Sequence, residues 1–173
     1  LLPSARRYAV VAYGCTSGSS VVGSDTVERI VRENCETDHV TNPLCATLAC
    51  ATENGVNRLA LLSPYIGEVN TSLRTAFAEH GLSTDVFGTF AVKEEAKVVR
   101  ISNQSVIDAA VKLGSDPSVE AVFISCTNLR TIDVLQPIAA RIGKPVMSSN
   151  QALAWHMRRL AEHNSTKPRK ITG

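Results

Sequence analysis

Two cysteines occupy matching places in two similar stretches of the sequence. In residues 9–18 (AVVAYGCTSG), a run of β-branched and small residues leads into Cys15. In residues 120–131 (EAVFISCTNLRT), an apolar run leads into Cys126. The stretches align without a gap, and each cysteine is followed by threonine and then a second polar residue. The pattern predicts two equivalent strand–turn–helix units, and we interpret the two thiols as facing each other across one active site.

A cysteine in such a turn suits nucleophilic and proton-transfer chemistry. Free backbone N–H groups at a helix start favour negative charge, so they should lower the pKa of the thiol. With the polar side chains of the turns, the same N–H groups could bind a carboxylate; the candidates are Thr16, Ser17, Thr127 and Asn128. One sulfur could then attack the bound acid or take a proton while the other returns one. This chemistry requires neither a metal nor a cofactor.

Other nucleophile and ligand patterns fit the sequence less well. Cys126 and Arg130 are closer together than in the phosphate-binding loop of cysteine phosphatases, and the glycines match no dinucleotide or P-loop fingerprint. A thiol–imidazole pair stays open, although packed or surface roles suit the histidines better; the candidates are His39, His80, His156 and His163. Four possible metal ligands lie close together in sequence, namely Cys35, His39, Cys45 and Cys50. Their spacing matches no familiar zinc site, so we predict that the cysteines are buried helical residues.

The hydrophobic pattern alternates between short apolar runs and longer segments with helical periodicity. Strands are predicted at residues 8–13, 58–62, 84–90 and 144–147, and one more ends at Cys126. Helices are predicted from Ser24 or Asp25, from Thr41 or Asn42 with Pro43, from Ser63–Pro64, over 94–101, 102–113 and about 131–142, and from the capping box Ser148-x-x-Gln151. Residues 35–40 are predicted to be a polar connection. The alternation implies right-handed βαβ units, a parallel sheet, and ligands bound beyond the carboxyl ends of its strands.

Composition limits the possible function classes. The 173 residues suffice for one compact domain or two small lobes, with 44% hydrophobic and 20% charged residues. A net charge of +2 argues against a nucleic-acid binder with a broad basic face, and the basic cluster at 167–170 (KPRK) is expected to be a solvated tail. No apolar run is long enough to span a membrane. Five cysteines, an odd number, favour free thiols and a cytoplasmic location.

Four motifs spread over the chain resemble a known enzyme family. They are YGCTSGS (13–19), SPYIGEVN (63–70), FISCTNLRT (123–131) and KPVMSSNQALAWHMRRL (144–160). The chain resembles the aspartate/glutamate racemase superfamily, in its branch of maleate cis-trans isomerases and arylmalonate decarboxylases. The resemblance implies an α/β fold of two pseudo-symmetric parallel-sheet lobes, with helices on both faces of each sheet. We expect residues 1–54 and 148–173 to form the first lobe, residues 55–147 to form the second, and the protein to be a homo-oligomer.

The resemblance also implies roles for individual residues. Arylmalonate decarboxylases keep only the second cysteine, so the presence of both Cys15 and Cys126 favours an isomerase or a racemase. By resemblance to maleate isomerase, Cys15 would add to the double bond of maleate and Cys126 would act as acid and base. Tyr65 matches the tyrosine of the family that holds a substrate carboxylate, and Thr16, Ser17, Thr127 and Asn128 would supply the remaining donors. No cofactor is implied, and the expected partner is a small dicarboxylate.

One departure from the family pattern keeps other functions open. The family has a further strand–helix unit before the first cysteine strand, with an asparagine that contacts substrate, and this unit is expected to be absent here. Part of the set of groups that bind the substrate carboxylates in the family is then missing. The alternatives are a two-cysteine racemase of aspartate, glutamate or hydantoins, an arylmalonate-type decarboxylase, and a non-catalytic acid-binding or truncated inactive domain.

Overall fold

The computed structural model describes residues 6–165, with side chains as far as residue 162. The basic cluster at 167–170 and the end of the segment 148–173 lie outside the described residues. The described residues contain six strands, namely β1 (Tyr8–Ala12), β2 (Thr37–Thr41), β3 (Leu59–Ser63), β4 (Phe87–Thr89), β5 (Ala121–Ile124) and β6 (Val146–Ser148). The same residues contain eight helices, namely α1 (Thr16–Val22), α2 (Ser24–Asn34), α3 (Pro43–Glu53), α4 (Gly67–Ala78), α5 (Glu95–Val98), α6 (Asn103–Gly114), α7 (Leu135–Ile142) and α8 (Ser149–Ser165).

The strands form two sheets in which every pairing is parallel. One sheet has the order β4-β3-β5-β6, and the other consists of β1 and β2. In the larger sheet, Phe123 lies between Leu61 of β3 and Met147 of β6; in the smaller sheet, Val11 is opposite Val40. The predicted α/β fold with parallel sheets is confirmed, and both cysteine turns follow the carboxyl end of a strand.

β1 and β5 hold equivalent positions in the two sheets. Each precedes a cysteine turn and pairs with the strand next along the chain, β2 or β6. The helices after those strands, α3 and α8, pack against each other. β5 also pairs with β3, whereas β1 has a single strand neighbour within residues 6–165. All four residues of β5 are therefore buried, but only Val11 is buried in β1.

The main hydrophobic core surrounds the larger sheet. Residues 59–62 and 121–124 are almost completely buried, as expected for central parallel strands covered on both faces. The rings of Phe77 on α4 and Phe123 on β5 pack edge to face, with centroids 5.7 Å apart. The last helix, α8, packs mainly on α3, β1 and β2, with a smaller contact to β6 of the larger sheet. This arrangement joins the C-terminal helix to the smaller sheet, while the predicted lobe boundaries themselves stay a prediction.

Several predicted helix starts are confirmed by their hydrogen bonds. The side chain of Asn42 accepts from the backbone N–H groups of Leu44 and Cys45, with Pro43 at the first helical position. Ser102 caps α6. The hydroxyl of Ser148 accepts from the backbone N–H of Gln151 at 3.3 Å, as a capping box requires. The cap patterns thus place α3, α6 and α8 correctly.

Residues 35–40 were predicted to be a connection, but Thr37–Thr41 form β2. The strand is TDHVT in sequence, so its polar residues conceal the strand pattern. Pairing with β1 holds these residues in an extended strand. Tyr13, just after β1, donates its backbone N–H to the carbonyl of Thr41 at 2.9 Å, and Arg7 forms an ion pair with Asp38.

The prediction that a helix begins at Ser63–Pro64 is wrong, because Ser63 is the last residue of β3 and α4 begins at Gly67. The residues between them form a turn held by buried hydrogen bonds. The hydroxyl of Ser63 bonds to the side chain of Asn70, and the Asn70 amide donates to the carbonyl of Tyr65 at 2.8 Å.

The segments after the two cysteines also differ from the predicted strand–turn–helix outline. After Cys15 the short helix α1 begins at once, where a turn was predicted. After Cys126 no helix begins until Leu135, and residues 127–134 are turns and irregular chain. The two cysteines therefore have different backbone settings. Within residues 6–165, no helix has the length and hydropathy needed to cross a membrane.

The contact between α8 and β2 predicts a pH-dependent stability. Half-buried His156 bonds through Nδ1 to the hydroxyl of Thr41 at 2.8 Å, and burial, with a smaller effect of His39, lowers the pKa of His156 from its ordinary value of 6.5. The unfolded chain therefore binds more protons than the folded one below that value, so stability falls as the pH falls. Urea denaturation at about pH 7.5 and about pH 5 should show a smaller loss for His156→Gln than for the wild type. An equal loss in both proteins would contradict this origin of the pH dependence; His80→Gln controls for the loss of an imidazole.

Candidate active site

Cys15 occupies the N-cap position of α1, directly after β1. Its backbone is extended, and its sulfur accepts a hydrogen bond from the backbone N–H of Gly18 at 3.3 Å. The hydroxyl of Ser17 lies 3.5 Å from the same sulfur. The side chain is half-buried. The position therefore suits a nucleophile that a small molecule can reach.

Cys126 has a different environment. Its φ angle is +99°, a conformation that L-residues rarely adopt, and 4% of the residue is exposed. The backbone N–H groups of Asn128 and Leu129 and the phenol of Tyr65 lie near its sulfur and act to lower its pKa. Burial outweighs these donors and raises the pKa of the Cys126 thiol. The predicted lowering of the thiol pKa is therefore wrong at Cys126, which keeps its proton near neutral pH; at Cys15 the expectation of a stabilised thiolate stays a prediction.

The two cysteine turns are joined through the hydroxyl of Ser149. This oxygen accepts from the hydroxyl of Thr16 at 2.9 Å and from the backbone N–H of Cys126 at 3.0 Å. Ser149 is completely buried and is the first residue of α8. The sequence predicted Ser148 as a helix cap, whereas the bonds of Ser149 to the two turns were not predicted. The signal was the second serine in the KPVMSSNQ motif, which follows a strand that neighbours the Cys126 strand.

A second set of bonds ties the same turns together. The hydroxyl of Thr127 donates to the carbonyl of Gly14 at 2.8 Å, and the side-chain amide of Asn150 donates to the carbonyl of Thr127 at 2.9 Å. Thr16 and Thr127, both predicted to bind substrate, thus direct their hydroxyl protons to protein acceptors. In this arrangement they hold the two turns in register.

Tyr65 lies between the two turns. The residue is 6% exposed, and its phenol lies near the side chains of Ser125, Cys126 and Thr16. Burial, followed by the effect of negative charge at Cys126, raises the pKa of Tyr65 far above its ordinary value. The phenol is therefore neutral at any physiological pH and can donate a hydrogen bond, as the predicted carboxylate-binding role requires.

Asn128 is exposed, and its side-chain amide donates to a carboxylate oxygen of Glu95 at 2.8 Å. Glu95 begins α5, in the segment where the sequence assigned no site residue. Its negative charge contributes to the raised pKa of Cys126. The structure thus gathers the predicted residues around the two turns, and it adds Ser149 and Glu95 to them.

The alternative ligand and base patterns do not converge on the cysteines. The described residues contain no cluster of three or more side chains suited to hold a metal ion. Nδ1 of His80 bonds to the carbonyl of Ala76 within its own helix, and His156 bonds to Thr41. The side chain of His163 lies outside the described residues. A thiol–imidazole pair therefore has no support from His80 or His156.

Comparison with known proteins agrees with this geometry. Residues 6–170 match the family model described as arylmalonate decarboxylase. The chain belongs to this family. The match confirms the resemblance to the branch of arylmalonate decarboxylases and maleate isomerases, whose curated relatives include both enzymes.

Three similar proteins illustrate the match. An arylmalonate decarboxylase from Bordetella bronchiseptica is 30% identical over 123 residues, which is 68% of this chain and 51% of that protein. A maleate isomerase from Alcaligenes faecalis is 22% identical over 151 residues, or 83% of this chain and 59% of that protein. A structure of the Nocardia farcinica maleate cis-trans isomerase, with a covalently bound succinylcysteine intermediate, has a TM-score of 0.76, 21% identity, and coverage of 89% of this chain and 66% of that one. The chain spans about half the length of the curated relatives it matches.

The bonds of Ser149 predict a stability effect. Ser149→Ala leaves the N–H of Cys126 and the hydroxyl of Thr16 without their buried acceptor, so the free energy of unfolding should fall by about 1–3 kcal/mol. Urea denaturation followed by circular dichroism measures the change. The matched control is Ser72→Ala on α4, whose hydroxyl bonds to the carbonyl of Glu68 near the surface. A loss for Ser149→Ala no larger than that of the control would contradict the role of this hydroxyl.

Proposed function

We propose that the protein is a cofactor-independent cis-trans isomerase of a small dicarboxylate, converting maleate to fumarate. The observation that carries the proposal is the pair of thiols in turns joined through Ser149. A half-buried sulfur with donors on it lies in one turn, and a buried, protonated sulfur lies in the other. One provides a nucleophile and the other a proton, which are the two functions that addition to a double bond requires.

Substrate binding is assigned to the polar groups of the two turns. The phenol of Tyr65 donates a hydrogen bond to a substrate carboxylate. Further hydrogen bonds come from the hydroxyls or backbone N–H groups of Ser17, Thr16 and Thr127 and from the amide groups of Asn128. The hydroxyls of Thr16 and Thr127 turn from their acceptors in the protein to do so. The amide of Asn128 already lies against the carboxylate of Glu95. A substrate carboxylate placed there replaces one anionic acceptor with another.

The reaction begins with attack by Cys15. The thiolate forms a carbon–sulfur bond to one carbon of the double bond, and the π electrons move toward the carboxylate on the other carbon as an enediolate. Hydrogen-bond donors stabilise this charge as it develops. Cys126 then gives its proton to the neighbouring carbon. The product of these steps is a succinyl thioether on Cys15 and a thiolate at Cys126.

Rotation about the new single bond exchanges the cis for the trans arrangement. The Cys126 thiolate removes the proton from the same carbon, the double bond re-forms, and the electrons of the carbon–sulfur bond return to Cys15. Fumarate leaves, and both thiols regain their starting states. The covalently bound succinylcysteine in the Nocardia farcinica relative supports an intermediate of this kind.

A second candidate is the decarboxylation of a substituted malonate. The family model and the 30% identity to the Bordetella bronchiseptica decarboxylase favour it. In that reaction a carbon–carbon bond breaks to release carbon dioxide, and its electrons form an enediolate held by the donors of the turns. Cys126 then protonates the carbon, so Cys15 has no covalent role. The difference makes Cys15 the residue that separates the two candidates.

Incubation with maleate, followed by proton NMR, tests the isomerase. We expect fumarate to appear, and Cys15→Ala or Cys126→Ala to reduce the rate at least about 100-fold, because each removes a reacting group. Cys50→Ala is the matched control, since this thiol on α3 lies outside the two turns, and it should leave the rate unchanged.

A parallel incubation with phenylmalonate tests the second candidate by the appearance of phenylacetate. Turnover of phenylmalonate alone, with Cys15→Ala still active, would favour the decarboxylase. Isomerisation at the wild-type rate in Cys15→Ala would contradict the assigned mechanism.

A further inference from the structure

Tyr13 lies two residues before Cys15, and both its backbone N–H and its carbonyl form hydrogen bonds. Its N–H donates to the carbonyl of Thr41 on β2 at 2.9 Å, and its carbonyl accepts from the N–H of Cys15 at 3.0 Å. These bonds connect β2, the end of β1 and the cysteine. Tyr13 therefore has a defined position relative to Cys15, although the residue itself is 38% exposed.

The side chain of Tyr13 folds back over Gly18. A Cβ atom at Gly18 would lie 2.4 Å from the phenolic oxygen and about 3 Å from two ring carbons, so only glycine allows the ring to stay there. The backbone N–H of Gly18 donates to the Cys15 sulfur at 3.3 Å. Gly18 thus supplies one donor to the sulfur and makes room for the residue that brings a second.

We propose that Tyr13 is a positioning residue for Cys15, and that its phenol donates a hydrogen bond which, with the N–H of Gly18, holds the sulfur as an anion. The proposal rests on the isomerase proposed above, in which Cys15 is the attacking sulfur, and it adds the residue that prepares that sulfur. The phenolic oxygen lies against Gly18, and the N–H of Gly18 donates to the Cys15 sulfur, so a small movement of the ring brings the phenol within reach of that sulfur.

The electrostatics of the phenol agree with a donor role. Negative charge at Cys15, more than burial, raises the pKa of Tyr13. The phenol therefore keeps its proton when the neighbouring sulfur has lost its own. A neutral phenol next to a thiolate donates to it, and hydrogen bonds to ionised acceptors are stronger than those between neutral groups.

The second cysteine has a corresponding set of donors. Its neighbours are the phenol of Tyr65 and the N–H groups of Asn128 and Leu129. Each sulfur thus lies near one tyrosine and at least one backbone N–H group. The difference is burial, because Tyr65 is 6% exposed and Tyr13 is 38% exposed. Burial raises the pKa of Cys126, whereas the Cys15 turn combines its donors with contact to water.

The test is the pH profile of iodoacetamide labelling at Cys15, resolved by peptide mass spectrometry in the full chain. In Tyr13→Phe, the midpoint of the profile should move up by about 0.5–1 pH unit, because one charge-assisted hydrogen bond is lost. The labelling rate at pH 7 should fall about 3- to 10-fold. Tyr8→Phe, at the start of β1, is the matched control and should label Cys15 like the wild type. An unchanged midpoint in Tyr13→Phe overturns the proposal.

A second variant reaches the same contact from the other side. Gly18→Ala adds the methyl group that displaces the phenol, while alanine favours the helix α1. We expect an upward shift of the Cys15 midpoint without loss of stability, which a purely structural role of Tyr13 does not predict. A Gly18→Ala profile that matches the wild type also overturns the proposal. Labelling requires no substrate, so the experiment can fail while isomerisation of maleate stands, and it can succeed in the absence of isomerisation.

Discussion

One buried hydroxyl connects the parts of the candidate site. The oxygen of Ser149 accepts from Thr16 in the first cysteine turn and from the N–H of Cys126 in the second. Ser149 begins α8, which packs against α3 and the smaller sheet. The position of this helix thus sets the distance between turns that follow strands of two separate sheets. Because a buried donor without a partner costs free energy, neither turn can move away from Ser149 without a penalty.

The same framework gives the two thiols different properties. Cys15 caps a short helix, is half-buried, accepts from the N–H of Gly18, and lies against the hydroxyl of Ser17. Cys126 is buried, has a positive φ angle, and has its pKa raised by burial. Strained backbone of this kind persists where the surrounding structure holds it, and it is frequent at active sites. Similar sequences thus provide one accessible sulfur and one protonated sulfur, a division of roles that acid–base chemistry on a bound substrate can use.

Local signals in the sequence predicted the parts of the fold that local interactions determine. The Asn42–Pro43 start of α3 and the serine cap of α8 were predicted because a cap and its helix are neighbours in the chain. Pairing of the two cysteine motifs was visible as a repeat. β2 was missed because TDHVT is polar and depends on β1 for its order. The role of Ser149 was missed because its partner Thr16 is 133 residues away and no local pattern marks the contact.

The central claim is that Cys15 and Cys126 act on one bound substrate, the first by covalent addition and the second by proton transfer. Intact-mass and peptide mass spectrometry of Cys126→Ser after incubation with maleate tests it directly. We expect a single succinyl adduct on Cys15, because the serine hydroxyl or water can protonate the carbon slowly, but no thiolate is left to remove that proton. Fumarate is then not released, and Cys15→Ser forms no adduct. An adduct on Cys35, Cys45 or Cys50 in place of Cys15, or full turnover by Cys126→Ser, would contradict it.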